Sequence, residues 1–269
     1  MPAVSSCDVI EMKNIILIKL GGSVITNKSV AYRPRLNVIR KLAKELKRIT
    51  GVSIVLAHGV GSFAHTSSEK YGGKKGYKSK WGVAKVALDV MEINRIVMNI
   101  LIEEGIPAVS LRPMSMIITK AGKVKKHLFE IVEEIIGQGL MPVIYGDVLW
   151  DKSWKTTIYS GEAILNEIGM YLMQKGYKID KIVQLGETSG VYDNNGETIP
   201  LITKENWKDI KKYILKKNRS DVTGGMKHKI ENALSVTRKG IDTWIANGII
   251  PNELFNALSG KAIKGTIIQ

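Results

Sequence analysis

The chain has 269 residues, of which 44% are hydrophobic and 24% charged, and its formal net charge is +15. This composition is typical of a folded globular protein, and no apolar run approaches the roughly 20 residues that a membrane-spanning helix needs. The one cysteine, Cys7, excludes an internal disulfide and a cysteine metal cluster. Residues 1–14 are interpreted as an extension without the pattern of a signal peptide, so we expect a cytoplasmic protein.

The excess of positive charge makes nucleic acid a partner to consider, but it also suits phosphorylated metabolites. The chain has no basic patch with interleaved aromatic residues and no recognisable reading helix, so we expect no nucleic-acid binding. In the lysine-rich run 208–219, Ile210, Tyr213 and Ile214 share one helical face and the lysines occupy the other. Most of the charge is therefore expected on solvated surfaces.

Apolar patterns along the chain alternate between short strand-like runs and helical stretches. The predicted strands are 15–20, 52–57, 106–110, 141–145, 181–185, 241–246 and 262–267, with a hairpin within 148–159. The predicted helices are 36–49, 83–104, 128–136, 163–175 and 223–239, two of which end at Gly51 and Gly240. This alternation predicts an α/β fold whose mainly parallel sheet has helices on both faces. Ligands bind such folds at the carboxyl ends of the strands.

The first candidate segment follows the first predicted strand and runs from Lys19 to Lys28, KLGGSVITNK. Glycines let backbone N–H groups approach an anion closely, and the two lysines supply positive charge for a phosphoryl group. A lysine near the end of an apolar strand is costly to bury unless it has a use. By itself, the segment is equally compatible with a glycine turn beside surface lysines.

The second segment, HGVGSFAH at 58–65, follows the second predicted strand and is interpreted as a glycine-rich turn. His65 at its far end can hydrogen-bond a phosphate, although a single histidine is more often structural. The segment also matches the loose dinucleotide-binding pattern G-x-G-x-x-A. Such loops need an acidic residue about 20 positions later, and residues 79–85 contain none, which disfavours a nicotinamide or flavin.

The third segment, DVTGGMKHK at 221–229, is expected to begin a helix, where free N–H groups and the helix dipole attract anions. Ser160-Gly161-Glu162 predicts a similar helix start, and Gly186-Glu187 follows another strand. Each of these segments can equally be a simple N-cap. The chain contains no P-loop motif, no HRD or DFG of protein kinases and no G-x-S-x-G elbow, which excludes those classes.

Together these segments resemble the amino-acid-kinase family over residues 15–268. KLGGSVITNK, HGVGSFAH, YGDV at 145–148 and DVTGGM, in this order, are similar to the motifs of its isopentenyl phosphate kinases, and Lys264-Gly265-Thr266 matches the family's final strand. The resemblance implies an open αβα sandwich, with a phosphate-acceptor lobe at 15–155 and a lobe that binds ATP and Mg²⁺ at 156–269. It also implies an isoprenoid monophosphate as acceptor and a homodimer. Fosfomycin or a nucleoside monophosphate is the alternative acceptor.

The resemblance also assigns roles to individual residues. Lys19 and Lys28 would contact the transferring phosphoryl group and His65 the acceptor phosphate, since relatives that act on carboxylates lack this histidine. The expected acceptor-binding residues are Gly21, Gly22, Ser23, Gly59, Gly61, Ser62, His65, Gly146 and Asp147. The expected ATP-binding residues are Lys19, Gly22, Ser160, Gly161, Glu162, Gly186, Glu187, Gly190, Gly224, Gly225 and Lys229. No protein ligand of a metal is assigned.

Some positions depart from the family pattern. Ala64 stands where the family usually has glycine, and Glu162 and Glu187 stand where it usually has aspartate. Glutamate keeps the charge but reaches one methylene further, which affects how these carboxylates orient lysines and the nucleotide. An isoprenoid tail also requires an apolar pocket, for which the long predicted helix offers Val90, Met91, Ile93, Val97 and Met98.

Overall fold

The computed structural model describes residues 14–269, apart from positions 74, 78, 218–224 and 238. Its strands are β1 (Ile15–Leu20), β2 (Ser53–His58), β3 (Gly72–Gly73), β4 (Gly76–Tyr77), β5 (Ala108–Ser110), β6 (Ile117–Lys120), β7 (Lys123–His127), β8 (Met141–Tyr145), β9 (Asp147–Asp151), β10 (Lys155–Tyr159), β11 (Ile179–Gly186), β12 (Leu201–Ile202), β13 (Asp242–Asn247) and β14 (Gly265–Ile268). Its helices are α1 (Gly22–Ile25), α2 (Leu36–Lys47), α3 (Gly61–Tyr71), α4 (Lys80–Glu103), α5 (Pro113–Met116), α6 (Glu130–Gly137), α7 (Gly161–Gln174), α8 (Lys204–Lys217), α9 (Gly225–Thr237) and α10 (Glu253–Leu258).

A central sheet has eight strands in the order β12-β14-β13-β11-β1-β2-β8-β5. The neighbours from β5 to β13 are parallel, and β14 runs antiparallel to β13. The mainly parallel sheet predicted from the sequence is therefore confirmed. Since β1 lies beside β11, one sheet continues through both predicted lobes. The helices described here include none that is both long and apolar enough to cross a membrane.

The alternation of side chains along β1 explains the layered architecture. Ile16, Ile18 and Leu20 face a cluster that includes α2, α4 and α10. Ile15 and Leu17 face the opposite cluster, which includes α6 and α7. Because successive strand residues point to opposite faces, a strand built almost wholly of branched aliphatic residues requires helices on both sides. The predicted αβα sandwich follows directly from this strand.

A smaller sheet crosses the predicted boundary between the lobes. Its strand order is β10-β9-β6-β7, and β9 and β10 form the hairpin predicted within residues 148–159. The boundary after residue 155 therefore falls inside β10. We use the terms first lobe for residues 15–155 and second lobe for 156–269. Their assignment to acceptor and ATP binding remains a prediction.

Local signals predicted several helix ends but not every element. Gly51, with φ +77°, and Gly240, with φ +76°, follow α2 and α9 as expected, because glycine adopts this left-handed conformation without a Cβ clash. The prediction of a turn at 58–65 is wrong, since helix α3 begins at Gly61. The hairpin of β6 and β7 was not predicted, and the last strand begins at Gly265 rather than at 262.

Candidate functional site

The predicted segments meet because the carboxyl ends of neighbouring parallel strands are aligned. In β1 the last residue, Leu20, is in register with His58 of β2 and with Leu185 of β11. Backbone hydrogen bonds continue past the strand ends, from Gly21 N–H to the Leu185 carbonyl at 2.9 Å and from Gly59 N–H to the Leu20 carbonyl at 2.8 Å. The glycine segments after β1 and β2 therefore begin side by side at one edge of the sheet.

The glycines in these segments allow their backbones to interlock. A Cβ on Gly22 would lie 2.6 Å from Gly61 N, and one on Gly59 would lie 2.5 Å from Gly22 N. Gly61 has φ +48°, and a Cβ there would lie 1.9 Å from the Thr26 hydroxyl oxygen. Larger side chains would push the loops apart, so these glycines have a packing role in addition to any contact with phosphate.

The start of α7 joins the same edge. A Cβ on Gly161 would lie 2.6 Å from the His58 carbonyl oxygen, which also accepts a 3.2 Å hydrogen bond from Gly146 N–H. Ser160 caps the helix, because its hydroxyl accepts a 3.1 Å hydrogen bond from Ala163 N–H. The predicted Gly146 and the predicted helix start at 160–162 are thus brought into contact with the segment after β2.

Lys19 and Glu162 form an ion pair at the centre of this edge. Their Nζ and Oε2 atoms are 3.3 Å apart, and the side chains are only 14% and 12% exposed. Glu162 lies in the first turn of α7, where the helix dipole favours a carboxylate. The pair directs a lysine of the first lobe towards the start of a helix in the second lobe.

Lys28 is exposed on a turn between α1 and α2. The chain around it is closed by the Thr26–Pro34 bridge and by a 2.8 Å hydrogen bond from Asn27 N–H to the Arg33 carbonyl. The hydroxyl of Thr26 accepts a 3.0 Å hydrogen bond from Ser62 N–H and donates one of 2.7 Å to the Gly22 carbonyl. We call residues 27–34 the Lys28 loop.

The two hydroxyl groups assigned to acceptor binding have different settings. Ser62 is buried, and its hydroxyl oxygen accepts a 3.3 Å hydrogen bond from Arg33 N–H, so this side chain already ties the Lys28 loop to α3. Ser23 lies half-buried in α1. His65 belongs to α3, one turn after Gly61, and its side chain lies outside the described part of the structure.

A second histidine, His58, lies buried beneath the candidate site and stabilises the segment after β2. It is fully buried at the end of β2, where Nε2 lies 3.2 Å from Asn94 Oδ1 and Nδ1 lies 3.0 Å from the Gly59 carbonyl oxygen. Burial lowers the pKa of His58, and the two hydrogen bonds oppose that shift. Its ring stacks on Tyr145 with centroids 5.6 Å apart. His58 therefore orders the segment after β2 and is not open to a ligand.

Asp147, in the YGDV motif, is 2% exposed. Its carboxylate accepts a 3.0 Å hydrogen bond from Met114 N–H, which joins α5 to β9, and one of 2.7 Å from the adjacent Val148 N–H. Burial raises the pKa of Asp147 to about 6, while the two N–H groups and the nearby Arg112 pull it down. The geometry shows a structural use for this carboxylate next to Gly146, and its predicted contact with the acceptor remains a prediction.

The second lobe contributes the segment after β11. Gly186 accepts a 2.9 Å backbone hydrogen bond from Gly248 N–H, and Asn247 Nδ2 donates one of 3.0 Å to the Glu187 carbonyl. Gly190 has φ +92°, and a Cβ there would lie 2.4 Å from the Thr266 hydroxyl oxygen. This contact explains the glycine at 190 by packing against β14.

Glu187 forms an ion pair with a residue that was not predicted from the sequence. The Arg35 Nη2 and Glu187 Oε1 atoms are 2.7 Å apart, and the two side chains are 30% and 38% exposed. Arg35 immediately precedes α2 and Asn247 ends β13. Arg35 and Asn247 lie outside the sequence motifs. A charged or amide side chain near the end of a strand or loop is too common in proteins to identify either residue from the sequence.

The third motif is described only in part. Gly224 lies outside the described residues, as do Asp221, Val222 and Thr223. The helix predicted over 223–239 is α9, whose first described residue is Gly225, and Lys229 lies half-buried in its second turn. Among the residues described, no group of three or more His, Cys, Asp or Glu side chains could hold a metal ion.

Comparison with known proteins identifies the family of this chain. The model of the amino acid kinase family matches residues 14–247. An isopentenyl phosphate kinase of Methanothermobacter thermautotrophicus is 30% identical over 94% of this chain and 98% of its own. One of Methanocaldococcus jannaschii is 30% identical over 95% and 98%. A crystal structure of isopentenyl phosphate kinase superposes with a TM-score of 0.79 at 26% identity, covering 95% of this chain and 100% of that one. The chain therefore belongs to the amino acid kinase family.

Proposed function

We propose that this kinase transfers the γ-phosphoryl group of ATP to isopentenyl phosphate, giving isopentenyl diphosphate and ADP. The main support is the meeting of the segments after β1, β2 and β11 with the start of α7, around the Lys19–Glu162 pair. Relatives that are 30% identical over nearly the whole chain are named isopentenyl phosphate kinases. The assignment of the acceptor rests on those relatives and on the motif that contains His65.

Charge neutralisation is the main chemical task at such a site, because ATP and a phosphate acceptor are both anions. In the proposed mechanism, Lys19 and Lys28 offset the charge on the transferring phosphoryl group, and His65 binds the acceptor phosphate. Glu162 keeps Lys19 directed at the site through the 3.3 Å ion pair. Transfer is direct and in-line, without a phosphoenzyme, since positioning and electrostatic stabilisation suffice for this chemistry.

The nucleotide phosphates would bind at the start of α7, where the N–H groups of Gly161 and Glu162 lie in the first turn. Mg²⁺ bound to those phosphates supplies further charge neutralisation. In proteins Mg²⁺ commonly keeps phosphate and water ligands with only one or two carboxylates. Glu162 already pairs with Lys19, and no three-ligand cluster exists in the described residues, so a metal held chiefly by ATP fits this site.

An apolar cluster beside α3 would hold the isoprenoid tail. Its buried members include Ala64, next to His65 in the chain, and Tyr145, next to Gly146. The full cluster consists of Ala64, Val86, Val90, Tyr145 and Val148, with Val60, Tyr77, Val83 and Met114 packed against it. The partly buried members would contact a five-carbon tail close to its phosphate, and the buried members would support them.

The long helix α4 contributes only part of the expected pocket wall. Val90 belongs to the apolar cluster, whereas Ile93 and Val97 are buried in the larger core that covers β1. Met98 packs on that same core. Met91 is 39% exposed and lines a surface groove of about 420 Å³, which shares Val83 and Met114 with the residues packed against the apolar cluster. Val90 is itself 1% exposed, so it would support the tail pocket from behind, and the partly buried Val83 of α4 would contact the tail.

The experiment that tests the proposal is ADP release with ATP and Mg²⁺, measured separately with several acceptors. The acceptors are isopentenyl phosphate, dimethylallyl phosphate, fosfomycin, UMP and N-acetylglutamate. We expect turnover with the two isoprenoid phosphates alone. Turnover confined to fosfomycin or UMP would replace the acceptor while keeping the kinase class. No turnover with any of them would remove the proposed activity.

We also infer a homodimer, which only the family resemblance supports. Light scattering of the purified protein at micromolar concentration is the direct measurement. A mass near twice the 29.8 kDa of the chain is expected, and a monomer would contradict it.

A further inference from the structure

The Arg35–Glu187 ion pair connects the two lobes at a point where no motif predicts a contact. Arg35 belongs to the first lobe and Glu187 follows β11 in the second, and 2.7 Å separates their closest atoms. The glutamate side chain thus reaches from the second lobe to a residue of the first.

Arg35 lies at the base of the Lys28 loop. Its backbone N–H donates a 2.8 Å hydrogen bond to the Ile25 carbonyl, and the neighbouring Thr26–Pro34 bridge closes the loop. A force on the Arg35 side chain therefore acts directly on the segment that carries Lys28. The loop is short and closed, so a shift at its base moves Lys28 as well.

The opposite side of the loop is attached only to first-lobe residues in the contacts described. Tyr32 donates a 3.0 Å hydrogen bond from its hydroxyl to Asp89 of α4, and Arg33 N–H donates one of 3.3 Å to Ser62 of α3. These bonds hold the loop to the first lobe. In the contacts described, the Arg35–Glu187 ion pair joins the base of the loop directly to the second lobe, where the nucleotide is expected.

Glu187 is itself well fixed in the second lobe. Its carbonyl accepts the 3.0 Å bond from Asn247, and the preceding Gly186 is bonded to Gly248. We propose that the Arg35–Glu187 pair is a positioning contact that sets the Lys28 loop against the nucleotide lobe, so that Glu187 acts through Arg35 and not through its charge on ATP. The effect on turnover rests on the proposed kinase function, whereas the effect on the loop does not.

Glu187→Asp separates the two roles of this carboxylate, since aspartate keeps the charge but is one methylene shorter. If Glu187 acts by reach, Glu187→Asp, Glu187→Gln and Arg35→Met should all lower kcat roughly five- to tenfold. The KM values for ATP and acceptor should change by less than about twofold, because the lost contact orients Lys28 for the transition state. The exchanged pair Arg35→Glu with Glu187→Arg should recover part of the rate.

Arg40→Met is the matched control, because Arg40 lies on α2 and its ion pairs with Glu103 and Glu104 connect to α4, away from the site. It should leave kcat unchanged. A Glu187→Asp variant with the parent rate, or with a raised KM for ATP alone, would overturn the positioning role in favour of direct nucleotide binding.

Hydrogen exchange of the unliganded protein tests the same contact without any turnover. The amides of residues 27–33 should exchange roughly twofold faster in Glu187→Asp, Glu187→Gln and Arg35→Met than in the parent or in Arg40→Met. Unchanged exchange in all three variants would reject the proposal even if the enzyme is active. Faster exchange in a protein that turns over none of the acceptors would keep the contact and reject the proposed activity.

Discussion

Lys19–Glu162 and Arg35–Glu187 each join a cation of the first lobe to a glutamate of the second, yet their surroundings differ. The side chains of the first pair are 14% and 12% exposed, and those of the second are 30% and 38% exposed. Removing one partner of a well-buried pair leaves an uncompensated charge in a poorly solvated place, whereas water stabilises the survivor of an exposed pair. Loss of one partner should therefore have larger consequences at Lys19–Glu162 than at Arg35–Glu187.

Lys19→Met should give the largest effect. It removes a predicted contact to the transferring phosphoryl group and leaves Glu162 without its cation, so kcat should fall by roughly a hundredfold or more. Steady-state kinetics measures the loss, and circular dichroism checks that the variant is folded. A folded Lys19→Met protein with near-parent turnover would remove Lys19 from the mechanism. The two ion pairs would then differ in their burial but not in a catalytic role.

Glu162→Gln should have the next largest effect, because it keeps the shape of the side chain while removing the charge that orients Lys19. We expect kcat to fall roughly ten- to a hundredfold, more than for Glu187→Gln. Glu167→Gln on the same helix is the control, since Glu167 accepts a hydrogen bond from the Tyr159 hydroxyl that glutamine can also accept. An equal loss in Glu162→Gln and Glu187→Gln would show that burial does not separate the pairs.

The same comparison can be extended to Asp147, a buried carboxylate. The charge of the nearby Arg112 offsets only part of the effect of burial on the carboxylate's pKa. Burial raises its pKa from the ordinary 3.8 to about 6, so the folded state holds the proton more tightly than the unfolded chain. The resulting stabilisation is complete below about pH 4 and is lost as the pH rises through about 6. The loss amounts to roughly 3 kcal/mol at most.

Urea unfolding of the parent and Asp147→Asn between pH 4 and pH 7 measures this contribution. The parent should lose stability relative to the variant across that interval. Parallel profiles for the two proteins would show that Asp147 ionises in the folded state as easily as in the unfolded chain.

The smallest expected effect is the contribution of the exposed pair to stability. A double-mutant cycle of Arg35→Met and Glu187→Gln should give a coupling free energy of roughly 0.5 kcal/mol in low salt and less in 1 M salt. Urea unfolding at both salt concentrations gives the value. A coupling free energy above about 2 kcal/mol that does not decrease in 1 M salt would show that this pair behaves like the buried Lys19–Glu162 pair.

The sequence predicted the sheet well because its signals are local. The aliphatic run of β1 and the glycine segments after β1 and β2 are readable without a structure, and the motif order was enough to indicate the family. The match of the family model to residues 14–247 confirms that resemblance. Of the residues assigned by resemblance, the glycines of the segments after β1 and β2 meet Gly146 and the start of α7, whereas Gly190 packs on β14 and Gly224 lies outside the described residues. Contacts of the assigned residues with ligands remain predictions.

Helix α3 was missed because its own sequence argues against a helix. It begins with Gly61 and Ser62 and lacks a clear apolar stripe, so local patterning favours a turn. The helix forms because its inward residues Phe63 and Ala64 are buried in clusters shared with α4. Tertiary packing overrides propensity in this segment.

By itself, the sequence determined the parallel sheet, the places where glycine loops follow strands and the family of the protein. These follow from periodicity, glycine conformational freedom and motif order, all of which act over a few neighbouring residues. Only the tertiary structure decided which charges meet: Lys19 with Glu162, 143 positions away, and Arg35 with Glu187. Such pairings depend on how β1, β11 and α7 are placed in space, and no local pattern in a single chain records that arrangement.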